Sequence, residues 1–183
     1  MRHVTSDRWS VDDYLSGEET LRRQELEWGV VREAPGPSFG HQSRVTSLTL
    51  LLAAHVREHR LGCVVVSPID VVLDVEKALV VQPDLVFVST ERQSIIRHHI
   101  WGAPDLVVEV LSPRTARRDR TTKLAWYDQY GVRECWLVDP VARRVEVHEL
   151  GSSPRVRRYG VNRRLKSTVL PILRLVVSDV FSD

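Results

Sequence analysis

Between His41 and His59 the apolar residues Val45, Leu48, Leu52 and Val56 recur at spacings of three and four, which predicts the longest helix of the chain, with Gly62 ending it. Upstream, residues 10–20 (SVDDYLSGEET) predict a short helix capped by Ser10, with Asp12 and Asp13 in the first turn. The stretch RQELEWGVVREAPGP reads as a strand or hairpin followed by a Pro/Gly loop. After residue 62 the period changes to that of strands. CVVVS and DVVLDV flank Pro68, and VVQPDLVFVS follows a turn around Glu76 and Lys77.

DLVVEVLS is a continuous apolar run broken only by Glu109, the pattern of a strand buried on both faces and closed by Ser112-Pro113. Residues 117–130 predict a second helix stopped by Gly131. RECWLVDP and RRVEVHEL predict two strands around a turn at Asp139-Pro140, and the apolar tail TVLPILRLVVSDVFSD is expected to pack on the domain or on a second subunit. The tetrapeptide Pro-Asp-Leu-Val occurs twice, at Pro83 and Pro104, but the copies continue as FVSTERQ and VEVLSPR, so they are two strand starts and no repeat. The order of elements predicts an α/β fold, a mixed sheet with helices packed on it.

A chain of 183 residues, 43% hydrophobic and 27% charged, is expected to fold as one domain, 1–183. MRHVTSDRWSVDDY lacks the apolar core of a signal peptide, and no apolar run has the ~18 residues of a membrane span, so no membrane partner and a cytoplasmic location are expected. Cys63 and Cys135 are too few for a disulfide framework or a zinc site and read as buried free thiols. The net charge of +2 hides an asymmetry: residues 114–166 hold 14 Lys and Arg against 6 Asp and Glu. Such a split marks a basic surface for a polyanion, or solvated arginines on helices and hairpins.

The charge inside the apolar run is the chemical anomaly. An ionised Glu109 among Val107, Val108, Val110 and Leu111 costs several kcal/mol unless it is paired or binds a cation. Two readings follow, a structural ion pair with an arginine or a metal and catalytic role. Asp84 opens a second apolar strand, and neighbouring strands lie about 4.8 Å apart, so the two carboxylates can share one divalent ion, Mg²⁺ or Mn²⁺ for hard oxygen donors. Asp105 shares a strand face with Glu109 but lies about 13 Å along it, too far to chelate the same ion. In the second helix Asp119, Lys123, Tyr127 and Tyr130 fall on one face. Only three lysines stand against twenty-three arginines, which singles out Lys123. It reads either as a surface i, i+4 partner of Asp119 or as a point charge beside a phosphoryl oxygen.

Taken together, VVQPDLVFVS, GAPDLVVEVLSP, RDRTTKLAWYDQYGV and ECWLVDP resemble the Uma-two family of putative restriction endonucleases, which has the PD-(D/E)XK nuclease fold, a restriction-endonuclease-like mixed central sheet flanked by helices. The resemblance covers roughly residues 10–175 and is most specific from Gln82 to Pro140. It implies that Pro83-Asp84 is the "PD" and Glu109 the "(D/E)". Leu111 stands where the signature has lysine, and the resemblance implies that Lys123 on the following helix replaces it. Glu25 in QELEWG matches an acidic position and is a candidate further metal ligand. His41 matches a histidine at the start of the long helix, with a capping or packing role as the alternative, and Trp28 stands where an aspartate is usual.

The implied activity is metal-dependent endonucleolytic hydrolysis of DNA. Asp84, Glu109 and Glu25 would hold Mg²⁺ or Mn²⁺, which polarises a phosphoryl oxygen and acidifies a bound water. Lys123 would orient that water or stabilise the phosphorane charge. Arg114, Arg117, Arg118 and Arg120, extended by Arg157, Arg158, Arg163 and Arg164, would neutralise backbone phosphates. A homodimer is expected. The alternatives are a catalytically idle nucleic-acid-binding or assembly module on the same fold, and an acidic cluster that only pairs with the arginine-rich helix.

Overall fold

The computed structural model describes residues 8–17 and 22–182. The predicted helix at residues 10–20 is observed as α1 (Val11–Leu15), and its remaining turn at residues 18–20 lies outside the described residues. Ser10 caps it as expected, its hydroxyl accepting from the Asp13 amide while the Asp13 carboxylate accepts from the Ser10 amide. RQELEWGVVREAPGP forms a hairpin, β1 (Gln24–Glu27) and β2 (Val30–Glu33). Trp28 and Gly29 make its two-residue turn with φ of 53° and 83°, both in the left-handed region that such hairpins require. That conformation suits aspartate or asparagine better than tryptophan. Trp28 is held there by an edge-to-face contact with Trp126, ring centroids 5.6 Å apart.

The long helix α2 (Phe39–Glu58) buries Val45, Leu48, Leu52 and Val56, the predicted face. Gly62 does not stop it. The Leu61 amide donates to the Val56 carbonyl and the Arg60 amide to the Arg57 carbonyl, with Arg60 itself at φ 51°. This is the terminating hydrogen-bond pair that a glycine usually serves. Gly62 instead opens β3 (Gly62–Val66) at φ +146°, where a Cβ would lie 2.1 Å from the Val88 carbonyl oxygen of the adjacent strand. Gly62→Ala is therefore expected to cost about 3 kcal/mol or more, read as a lowered thermal midpoint.

The remaining strands are β4 (Val71–Asp74), β5 (Leu79–Val81), β6 (Leu85–Ser89), β7 (Ile100–Trp101), β8 (Leu106–Val110), β9 (Glu134–Asp139), β10 (Arg144–Glu149) and β11 (Arg155–Gly160). They build two mixed sheets, where the sequence pattern predicts one. The smaller has the order β2-β1-β5-β4-β7 and the larger β11-β10-β9-β8-β6-β3. The division falls inside VVQPDLVFVS: its first half, β5, pairs with β1 and β4, its second half, β6, with β3 and β8. Pro83 has no N–H for a ladder, and Gln82-Pro83-Asp84 carries the chain from one sheet to the other. β11 and the two-residue β7 carry no apolar alternation and were not predicted.

The larger sheet is covered on both faces. Leu85, Phe87, Leu106, Val108 and Val110 point into a core with α2 and the tail, which packs Leu170, Leu173, Leu175, Val177, Val180 and Phe181 against it. Thus the tail lies on its own chain. On the opposite face Val86, Val88 and Val107 meet Val71, Leu79 and Val81 of the smaller sheet, with Trp126 and Tyr127. Trp126 and Tyr127 belong to the helical segment at residues 116–130, the crossover between the parallel strands β8 and β9. That segment begins as α3 (Ala116–Arg118), widens to a π-helical turn over Asp119–Lys123, and continues as α4 (Leu124–Tyr130), ended by Gly131 at φ 90°. Among the described residues no helix is long and apolar enough to cross a membrane.

Candidate active site

The register of β6 on β8 pairs Leu85 with Val108, Val86 with Val107 and Phe87 with Leu106. One step further along the same antiparallel register, Asp84 stands opposite Glu109. Both share the strand face of Val86 and Val107, which meets the smaller sheet and the helix at 116–130. The Val110 amide donates to Asp84 Oδ2 at 2.6 Å and fixes that carboxylate to the neighbouring strand. Asp84 is 3% exposed and Glu109 1%.

Two cations neutralise this pair from different directions. The Arg23 guanidinium, just ahead of β1, bridges Asp84 Oδ1 at 2.7 Å and Glu109 Oε2 at 3.3 Å, and also donates to the Gln82 carbonyl. From below, Lys123 Nζ lies 2.5 Å from Glu109 Oε1 and 2.9 Å from Glu25 Oε1. The Tyr127 hydroxyl, one helical turn on from Lys123, donates to Glu109 Oε1 at 2.5 Å. On β1, Glu25 further accepts from the Gln82 amide at 2.9 Å and pairs with Arg118 at 2.7 Å. His41, in the first turn of α2, places Nε2 3.2 Å from Asp84 Oδ1. Glu25, Asp84, Glu109, Lys123 and His41 thus come together where the two sheets meet, although they lie on five separate segments.

Lys123 is no surface partner of Asp119. It is 1% exposed, and the π-helical turn buries Asp119 and Lys123 together. Arg23 carries no periodic or motif signal, because its role is set by contacts 61 and 86 residues away in sequence. Tyr127 was visible only as one residue of a helical face.

Burial and charge pull these groups apart. Glu109 is pushed up to about 7, by burial first and then by Asp119 and Asp84, against the lowering effect of Lys123 and Arg23. For Glu25, burial works upward too, but Lys123, Arg118 and Arg23 more than offset it and hold the group down to about 2. Asp84 is lowered: burial opposes this, and its hydrogen bond with His41 together with the charge of Arg23 outweighs it. Lys123, despite burial, is raised by Glu109 and Glu25 and stays charged. Tyr127 is raised well above its ordinary value by burial and by Glu109, and remains a phenol that donates.

These directions predict a stability profile. Glu25, lowered from 4.5, contributes stability above that value that is lost as pH falls towards about 2, about 3 kcal/mol in all. Glu109, raised from 4.5, holds its proton in the folded state, so its contribution is present below 4.5 and lost as pH rises through about 7. Urea denaturation from pH ~3 to ~8 is expected to show both limbs, and Glu109→Gln to remove only the neutral one.

A cavity of about 610 Å³ opens above the pair, and Asp84, Arg23 and His41 reach its wall, with Arg22 and Arg114 beside them. Glu109 and Lys123 lie beneath its floor. The other arginines divide. Arg118 pairs with Glu25 and Glu27, and Arg120 with Asp139 and Glu146, so both face inward, while Arg114 and Arg117 are exposed. Arg157 pairs with Glu149 at 2.7 Å, Arg158 lies 3.8 Å from Glu146, and Arg163 and Arg164 are exposed. Asp105 sits apart, fully buried at the other end of β8, where it accepts from the Ser89 amide at 2.8 Å and pairs with Arg133 at 3.1 Å. Cys135 is buried and Cys63 partly so, both free. Among the described residues no group of three or more His, Cys, Asp or Glu side chains is placed to hold a metal ion as they stand.

None of the curated proteins matches the chain. Among solved structures it is similar to one titled as a putative nuclease belonging to DUF820 from Anabaena variabilis, with a TM-score of 0.78 at 19% identity, covering 94% of this chain and 97% of that one. At that identity the likeness shows the fold. A family model described as "Putative restriction endonuclease" matches residues 11–178, nearly the whole described length and all of the segments that build the site. The chain belongs to the Uma2 family.

Proposed function

We propose that the protein is a metal-dependent endonuclease that hydrolyses phosphodiester bonds of DNA, as a single nuclease domain spanning residues 1–183. The observation that carries this is the pairing of Asp84 and Glu109 on adjacent strands, both buried and both leaning on one guanidinium at the floor of a cavity walled by arginines. Two carboxylates are not buried face to face for stability alone, since apolar residues of similar size serve a core as well or better.

The donor set fits the group the reading requires. Asp84 Oδ1 and Glu109 Oε2 both turn towards the Arg23 guanidinium, and hard anionic oxygens on either side of that position would suit Mg²⁺ or Mn²⁺. When bound, such an ion supplies Lewis-acid polarisation of a phosphoryl oxygen and an acidified water. The chain's own groups do the rest. The Val110 amide and His41 orient Asp84, while Tyr127 and Lys123 hold the inner oxygen of Glu109, so that its outer oxygen faces Asp84. Lys123 is a permanent positive charge in a dry site, suited to stabilising negative charge that develops at the cavity floor. Glu25, expected as a further ligand, has its oxygens taken by Lys123, the Gln82 amide and Arg118, and we assign it to positioning Lys123. Arg22 and Arg114 on the cavity wall, with the exposed Arg117, suit contact with backbone phosphates, which gives salt-dependent and sequence-independent affinity. A homodimer belongs to the same reading, since two copies would bring one site to each strand of a duplex.

The idle-module reading has one observation in its favour: each carboxylate of the cluster is already neutralised from within the chain. Cleavage of plasmid and single-stranded DNA with Mg²⁺ and Mn²⁺ separates the two. Metal-dependent nicking by the wild type and none by Glu109→Ala supports the nuclease. Binding without cleavage in both proteins leaves the module.

A further inference from the structure

Glu109 touches two cations, and they differ in one respect that matters for chemistry. Lys123 is 1% exposed, enters from the helix side and does not reach the cavity. Arg23 has a side chain 24% exposed and lines the cavity, so its guanidinium has a path out. It also occupies the position between Asp84 Oδ1 and Glu109 Oε2. Each of the three carboxylates Glu25, Asp84 and Glu109 is already in contact with a cation of the chain, Lys123, Arg23 or Arg118. A divalent ion that entered with Arg23 in place would meet a like charge within the same pair of oxygens.

We propose that Arg23 is the exchangeable counter-ion of the site: it holds Asp84 and Glu109 in register in the metal-free protein, and a divalent ion displaces its guanidinium into the cavity. The inference rests on the reading of Asp84 and Glu109 as metal ligands. Arginine suits the role, since it stays charged at any working pH and its flat fork spans two carboxylates at once. Once displaced it remains tethered at the cavity wall beside Arg22 and Arg114, where the positive charge meets an incoming phosphodiester instead of a carboxylate. The exchange turns a contact that stabilises the carboxylate pair into one that favours substrate.

The exchange predicts an unusual mutant phenotype, a cation removed and a metal bound more tightly. Mn²⁺ affinity is measured without substrate, by paramagnetic resonance of the free ion, for wild type, Arg23→Ala, Arg23→Gln and Glu109→Gln at a pH above the titration of Glu109. Both Arg23 variants are expected to bind Mn²⁺ about tenfold or more tightly than wild type, and Mn²⁺ to raise their melting temperatures by more than it raises that of the wild type. Arg23→Gln keeps a neutral polar side chain at the cavity wall, so it covers the case in which Arg23→Ala does not fold. Equal or weaker Mn²⁺ binding by the Arg23 variants, with binding lost in Glu109→Gln, overturns the counter-ion role and leaves the ligand assignment standing. No Mn²⁺ binding by wild type or by either Arg23 variant overturns both.

Discussion

Glu109→Gln is expected to lower metal-dependent cleavage of DNA by on the order of 10³-fold while the chain stays folded. The amide keeps the shape of the carboxylate and can still accept from the Tyr127 hydroxyl and from Lys123, which hold Oε1 at 2.5 Å each. What it loses is the anionic oxygen that faces Asp84. Because Glu109 is fully buried and already pushed up to about 7, removing its charge is cheap for folding and below neutral pH close to neutral in effect. The matched control is Asp105→Asn. Asp105 belongs to the Pro-Asp-Leu-Val that leads into β8, stands just ahead of that strand and is as deeply buried, but its partners are the Ser89 amide, Arg92 and Arg133. That substitution is expected to cost about 2 kcal/mol of stability and to leave the rate at a permissive temperature unchanged. Supercoiled-plasmid nicking alongside urea denaturation separates the two effects. Equal rates for Glu109→Gln and wild type would refute the role of Glu109, whatever their stabilities.

The contrast between these two carboxylates shows what the sequence made legible. Strand and helix periods are local, so α2, β8 and β9 were visible as patterns, and Glu109 was visible because it interrupted one. Asp84 followed from the geometry of neighbouring strands. The division of VVQPDLVFVS between two sheets was not visible as a pattern, since both halves are apolar. Its only mark is Pro83, and the consequence, that Asp84 sits at the seam, depends on which strands pair. Lys123 became distinct from a surface lysine only through the family resemblance. Its burial needs the π-helical turn, which helical spacing does not encode. Arg23 was invisible for the same reason in stronger form: nothing near it in the chain shares its task, and every hydrogen-bond partner of its guanidinium lies more than fifty residues away. The basic segment misled in part. Charge counts treat all arginines alike, whereas Arg118 and Arg120 are spent on Glu25, Glu27, Asp139 and Glu146 inside the fold.

Lys123→Met tests the other half of the site and is expected to have the largest effect on stability, a loss of about 3–5 kcal/mol and roughly 8–15 °C in the melting temperature. Methionine fills nearly the same volume, so the cost is electrostatic. Without the ammonium, Glu25 and Glu109 face each other across a dry space, with Glu25 left to Arg118 and the Gln82 amide and Glu109 to Arg23 and Tyr127. The chain has one way to reduce the penalty, which is to protonate Glu109. Lys123 is the leading influence holding that group down against burial, so its removal moves the titration further above about 7. The folded-state proton is then retained to higher pH, and the penalty of Lys123→Met is expected to shrink as pH falls from alkaline values towards ~5, where Glu25 is still ionised. Adding Glu109→Gln to Lys123→Met removes the charge that was left unpaired. The double variant is expected to recover part of the lost stability, a coupling that a double-mutant cycle reads directly. If the two substitutions were simply additive, Lys123 and Glu109 would not share an ion pair, and the electrostatic frame of the site would have to be redrawn around Glu25 and Arg118. Lys123→Arg does not rescue, because a planar fork cannot take the place of a point charge between two carboxylates beside the Tyr127 ring.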